Sequence, residues 1–170
     1  MNIVLIGMMG SGKSAVGREI ARKLGWSFID MDEEIEREQG TSVAEIFARR
    51  GEADFRVMEK ELIKKMAGSG RCVIATGGGT PCSEENWKTL AREGWIVWLK
   101  ALPITLFERI QKERATRPLL QDPDPLGTLR TLLAKREPFY EKADYIVETE
   151  GLKAEDVAEK IVSEIKSRFS

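Results

Sequence analysis

The sequence contains no histidine. That excludes a Ser-His-Asp triad, an imidazole base and any histidine metal ligand, so acid–base chemistry falls to carboxylates, lysines or tyrosines. Cysteine is nearly as scarce. Cys72 and Cys82 are the only two, which gives neither a disulfide framework nor a zinc spacing and points to a reducing, cytoplasmic setting. No apolar run approaches the roughly 20 residues that span a bilayer, so no membrane partner is expected. The first residues read as a strand rather than as a basic lead, apolar core and cleavage site, so no signal peptide is expected either. Basic residues are not in excess: 27 Lys and Arg against 28 Asp and Glu leave a net charge of −1. That argues against a nucleic-acid partner.

What is present suits a single domain over residues 1–170 with a real core: 42% hydrophobic and 32% charged residues. Short apolar segments alternate with helical patterns. Asn2 to Ile6 (NIVLI), Ser27 to Asp30, Cys72 to Ala75, Trp95 to Leu99 and Tyr145 to Val147 read as strands. Between and after them, helices are expected over Lys13 to Leu24, Asp32 to Glu38, Val43 to Gly51, Phe55 to Met66, Ser83 to Glu93, Pro103 to Lys112, Leu126 to Lys142 and Glu155 to Arg168. Val16, Ile20 and Leu24 share one face of the first helix, and Gly25 stops it. Ser42 and Glu45 make a capping-box pattern. The helix over Leu126 to Lys142 is expected to be interrupted or to end near Pro138. Strands alternating with helices predict an α/β fold with a parallel sheet covered on both faces. Residues 113–125 hold three prolines and several charges and read as a mobile loop.

The loop after the first strand, GMMGSGKS from Gly7 to Ser14, fits G-x-x-x-x-G-K-[ST] in its confirming context, between an apolar strand and a helix. Gly10 and Gly12 let the backbone curl so that successive N–H groups meet one phosphate. Lys13 is placed to reach the β- and γ-phosphates of a nucleotide, and Ser14 to ligate Mg²⁺. Such proteins need an acid near the metal. Asp30 and Asp32, at the end of the second strand, are candidates. Residues i and i+2 of a strand point the same way, so one carboxylate could serve the metal and the other an acceptor. An N-cap followed by a solvated turn is the other local reading.

Three further features admit two readings each. Arg56 and Glu59 share a helical face, as a surface salt bridge or as part of a site. Gly77-Gly78-Gly79 follows a buried-type strand, as a tight turn or as a place where a ligand or helix approaches closely. Arg136 is a solvated helix residue or a ligand for an anion. Arg117 lies in the proline-rich loop, where closure over a phosphate-transfer site can deliver an arginine.

In this order, GMMGSGKS, FIDMD, FRVMEKE, GGG, RPLL and KREPFYEKAD resemble the shikimate kinase family over nearly the whole chain. The resemblance implies a three-layer α/β/α P-loop kinase fold with a five-stranded parallel sheet and a mobile lid at about 113–125. It implies transfer of the γ-phosphoryl of ATP to the 3-hydroxyl of shikimate, with Mg²⁺, by a cytoplasmic monomer whose partners are these two small molecules. By the same resemblance Gly10, Ser11, Gly12, Lys13, Ser14 and Ala15 would hold the phosphates, and Ser14 and Asp30 would serve the metal. Asp32 would bind the acceptor hydroxyls and be the candidate base. Arg56 and Arg136 would grip the carboxylate, with Glu59 orienting Arg56. Gly78 and Gly79 would meet the substrate ring. Val43, Phe47, Phe55, Pro118 and Leu119 would line the apolar wall, and Arg117 would approach the transferring phosphoryl. Arg109 is the choice for adenine stacking, with Arg114 nearby. Lys13, Asp32 and Arg117 are thus the catalytic candidates. Phosphoryl transfer needs little covalent help, so Asp32→Asn is expected to cost orientation more than proton abstraction. Another small-metabolite P-loop kinase, acting on gluconate or a nucleoside monophosphate, and a nonenzymatic binding relative are the alternatives.

Overall fold

The computed structural model describes residues 1–66, 68–113 and 118–169. Strand β1 (Asn2–Ile6) is buried along its whole length, as a run of apolar residues with both faces covered must be. It is the middle of a five-stranded parallel sheet in the order β2-β3-β1-β4-β5, with β2 Ser27–Asp30, β3 Cys72–Ala75, β4 Gly94–Lys100 and β5 Tyr145–Glu148. Ile3 is in register with Val73 on one side and Trp95 on the other.

Alternation along the strands divides the core in two. Ile3 and Leu5 face helices α1 (Lys13–Leu24) and α7 (Ala154–Phe169) through Val16, Ile20, Val157 and Ile161. Val4, Ile6, Ile74, Ile96 and Trp98 face the other layer. That layer is built from α2 (Met31–Gln39), α3 (Val43–Met66), α4 (Glu84–Glu93), α5 (Pro103–Lys112) and α6 (Pro125–Tyr140). Among the described residues no helix is long and apolar enough to cross a membrane.

The chain leaves β1 toward β2 on one side and later returns to build β4 and β5 on the other. The carboxyl end of β1 is therefore the switch point of the sheet, where ligands of open α/β folds sit. Residues 7–12 lie there.

The break expected at Gly51 is present: at φ 82° and ψ 172° the residue is non-helical, and α3 is two helical segments that meet there in a kink. α6 ends at Tyr140, close after Pro138, as expected; the proline sits in the last turn, where its missing N–H costs one hydrogen bond and the helix stops soon after. One expectation needs correction. Asp30 and Asp32 are not strand neighbours on one face, because β2 stops at Asp30 and α2 starts at Met31. In the 113–125 stretch, Pro118–Gln121 form a 3₁₀ turn.

Candidate active site

The loop after β1 curls as the glycines allow. Gly10 (φ 79°) and Gly12 (φ 89°) are left-handed, and a Cβ on Gly10 would sit 2.9 Å from the Leu106 carbonyl oxygen. Gly12 leads into α1 without a side-chain cap, so the first-turn N–H groups of α1 are left for an anion. Lys13 folds back along the loop and donates to the Gly7 and Met8 carbonyls at 2.8 and 3.0 Å. Ser11 is buried, its hydroxyl without a partner among the described residues. Its side chain is therefore inside the loop, and its N–H donates to the Met8 carbonyl at 3.1 Å.

The Ser14 hydroxyl donates to Asp30 Oδ2. The other oxygen, Oδ1, accepts from the Asp32 and Glu33 N–H groups at 3.0 and 3.2 Å. Both local readings of Asp30 thus hold together: it caps α2 and also reaches the phosphate loop. The strand-to-helix corner, not strand alternation, brings Asp32 round to the same cavity.

That cavity, of about 440 Å³, is lined at one end by Gly10, Gly12, Lys13 and Ser14 and at the other by Asp32, Arg56, Glu59, Arg136 and Gly77 to Gly79. Val43, Phe47 and Phe55 form its apolar wall, with the two phenyl rings 4.8 Å apart. Leu119 packs against the core instead. Asp32 Oδ1 is buried with no hydrogen-bond partner among the described residues. Burial, reinforced by the neighbouring charge of Asp30 and partly offset by Lys13, pushes its carboxyl up to about 6.

Glu59 is completely buried. One oxygen accepts from Arg56 Nη1 at 2.7 Å and the other from the Thr80 hydroxyl at 2.5 Å. The surface-bridge reading of Arg56 and Glu59 therefore fails at the glutamate end. Arg56 also donates to the exposed Glu52 at 3.2 Å. Arg136 has no carboxylate partner among the described residues; its Nη1 lies 3.7 Å from Met8 Sδ.

Two of the three glycines, Gly78 and Gly79, are explained by these neighbours. A Cβ on Gly78 would come within 2.5 Å of Arg136 Nη1, and one on Gly79 within 2.5 Å of Arg56 Nη2. The close approach is made by two guanidinium groups. Tyr140 donates to the Gly78 carbonyl at 2.6 Å and so holds the turn from below.

Arg109 lies away from the cavity wall. It bridges Thr149 (carbonyl at 3.1 Å, hydroxyl at 3.2 Å) and the Gly10 carbonyl at 3.4 Å. It thus joins the phosphate loop to the segment that follows β5. Cys82 is half-buried beside Gly78, its thiol 3.8 Å from that carbonyl and pushed up by burial, which leaves it a poor nucleophile. Arg114 and Arg117 lie outside the described residues.

Sequence reading missed Tyr140, Met8 and Thr80. Each acts through a contact far away along the chain, and nothing local assigns it that role.

The family model for shikimate kinase matches residues 9–166. The chain belongs to the shikimate kinase family. It is 50% identical over 163 residues to shikimate kinase of Thermodesulfovibrio yellowstonii, covering 96% of this chain and 94% of that one. Shikimate kinase of Symbiobacterium thermophilum is 45% identical over 170 residues, covering 99% and 98%. Among solved structures, shikimate kinase from Acinetobacter baumannii in complex with shikimate superposes with a TM-score of 0.93 at 38% identity, covering 99% of this chain and 95% of that one. A gluconokinase from Sinorhizobium meliloti, at a TM-score of 0.60 and 20% identity, shares the fold alone.

Proposed function

We propose that the protein transfers the γ-phosphoryl of ATP to the 3-hydroxyl of shikimate, giving shikimate 3-phosphate and ADP. It is a kinase with an alcohol acceptor. The observation that carries the acceptor assignment is Arg136 beside the cavity with no carboxylate partner among the described residues, paired with an acceptor on Asp32 that has no partner among them either. An anion bearing hydroxyl groups satisfies both. Gluconate also carries a carboxylate, so the arginines alone do not decide. The wall of Val43, Phe47 and Phe55 favours a cyclic acceptor, whose ring buries apolar surface there.

On this reading Lys13 and the backbone of Gly10 to Ala15 bind the ATP phosphates. Asp32 orients the acceptor hydroxyl and takes its proton. Arg56 and Arg136 hold the carboxylate. The Ser14 hydroxyl and the Asp30 carboxylate meet in one place, a hard-oxygen donor set that suits Mg²⁺, which takes few protein ligands and fills its shell with phosphate oxygens and water. These two residues would hold the ion, which when bound neutralises phosphate charge. Arg109 is assigned to the adenine side and Arg117, on the family resemblance, to a lid over 113–125. On the family resemblance, the working unit is assigned as a single-domain monomer. The substrates and the reduced cysteines suit the cytoplasm.

The glycine turn gives a check on the arginines. Alanine at Gly78 or Gly79 leaves the fold intact, because the clash is with the far end of a side chain. Gly78→Ala pushes Arg136 aside at little cost in stability. Gly79→Ala displaces Arg56 from Glu59 and lowers the melting temperature as well. Both are expected to raise KM for shikimate about tenfold or more, with KM for ATP unchanged, as measured by steady-state kinetics.

The reaction itself is tested by its product. Phosphorus–proton correlation by NMR after incubation with MgATP should place the new phosphate on the carbon bearing the 3-hydroxyl. A phosphate on another hydroxyl would mean that the acceptor lies in the cavity in a different orientation.

A further inference from the structure

The buried Glu59 has one oxygen on Arg56 and one on Thr80, and the second contact joins the arginine to a chain of groups outside the cavity. Thr80 is itself fully buried and does not line the cavity. Its carbonyl accepts from Asn86 Nδ2 at 3.0 Å, and its N–H donates to the Gly77 carbonyl at 3.2 Å. Asn86, in the first turn of α4, is buried, and its N–H donates to the N-cap hydroxyl of Ser83 at 3.1 Å. Polar groups of α4, of the turn after the glycines and of α3 thus form one continuous buried series that ends at the guanidinium.

A fully buried carboxylate needs a donor for each oxygen. Arg56 supplies one and Thr80 the other. With the Thr80 hydroxyl in place, Glu59 is held at both ends and Arg56 has one preferred geometry. Without it, Oε1 of Glu59 has lost its donor, and the carboxylate is held only through Arg56 Nη1 and can turn about that contact, taking the guanidinium with it. Gly77 stands where this matters: a Cβ there would meet Glu59 Oε1 and the Thr80 hydroxyl, each at 2.9 Å, and Asp32 Oδ1 at 3.1 Å.

We propose that Thr80 is a positioning residue for substrate binding: its hydroxyl fixes Glu59 so that Arg56 keeps one geometry toward the acceptor's carboxylate. The inference rests on the reading of Arg56 as a carboxylate ligand given above. Thr80→Val keeps the shape and removes the donor, and Thr80→Ser keeps the donor.

The test is steady-state kinetics of both variants on shikimate and on its methyl ester, which has no carboxylate charge, with Arg56→Ala alongside. Thr80→Val should raise KM for shikimate about five- to tenfold, leave kcat within about twofold, leave KM for ATP unchanged and change KM for the ester by less than about twofold. Thr80→Ser should restore the wild-type values. If Thr80→Val does not fold, Thr80→Ala carries the same expectations. An equal penalty on shikimate and ester would mean a merely structural role, and a serine variant as impaired as the valine one would also overturn the proposal. A Thr80→Val enzyme with wild-type KM, beside an impaired Arg56→Ala, would sink the relay alone. An unimpaired Arg56→Ala would sink the carboxylate reading with it.

Discussion

Asp32→Asn should leave a more stable protein with little activity. The carboxyl of Asp32 stands at about 6 because it is buried and lies beside Asp30. In the unfolded chain it titrates near the ordinary value of about 4. The sign follows. Below pH about 4 both states hold the proton and the group costs nothing. Between about 4 and 6 the unfolded state releases its proton and the folded state does not, so stability falls as pH rises. Above 6 the ionised carboxylate costs the fold at most about 3 kcal/mol. Asparagine has the same shape without the charge. The variant should melt about 2–8 °C higher at pH 7.5, and this gain should shrink as the pH is lowered toward 4. Calorimetry at a series of pH values reads it directly.

The same variant should lose about 10²–10³-fold in kcat/KM for shikimate. Sequence alone favours orientation as the main loss. The raised carboxyl adds to the second role, because a base near 6 accepts a proton more readily at neutral pH than one near 4. The wild type should therefore lose kcat/KM about tenfold per pH unit well below 6, and the asparagine variant should lose that acidic limb. A limb that survives in the variant would return the weight to orientation alone.

Arg136→Ala and Arg56→Ala should both abolish most acceptor binding but differ in stability. Each arginine is assigned a charge-assisted contact with the carboxylate, worth about 1.5–3 kcal/mol, so KM for shikimate should rise about 10- to 100-fold in either variant. Arg136 has no carboxylate partner among the described residues, so its removal relieves an uncompensated cation and the melting temperature should hold or rise. Arg56 neutralises the fully buried Glu59. Its removal strands that charge, and because Arg56 is itself about a third exposed (34% of its side chain) the loss is expected at about 1–3 kcal/mol, below that of a fully buried pair. Equal melting temperatures for the two variants would contradict this assignment.

What could be read from the sequence was what local pattern controls. The phosphate loop was legible because glycine spacing, a preceding strand and a following helix are all local. Helix ends at Gly25 and Ser83 were legible for the same reason. The corner at Asp30 was only half legible. Its capping role and its contact with Ser14 looked like alternatives, whereas a carboxylate has two oxygens and fills both roles. Gly77 to Gly79 signalled a close approach but not its partner, since Arg56 and Arg136 come from helices that meet only in the fold. Met8 and Tyr140 lie inside legible motifs, but nothing local assigns a role to them or to Thr80. Their importance comes from burial beside groups far away in the sequence.

The most direct measurement is ADP release from MgATP with shikimate, gluconate or AMP as acceptor, side by side, against the rate with no acceptor. The account predicts rapid turnover with shikimate and rates near the acceptor-free background with the other two. Equal or faster turnover with gluconate or AMP, or none with shikimate while ATP still binds, would contradict the assignment of Asp32, Arg56 and Arg136 to a shikimate site.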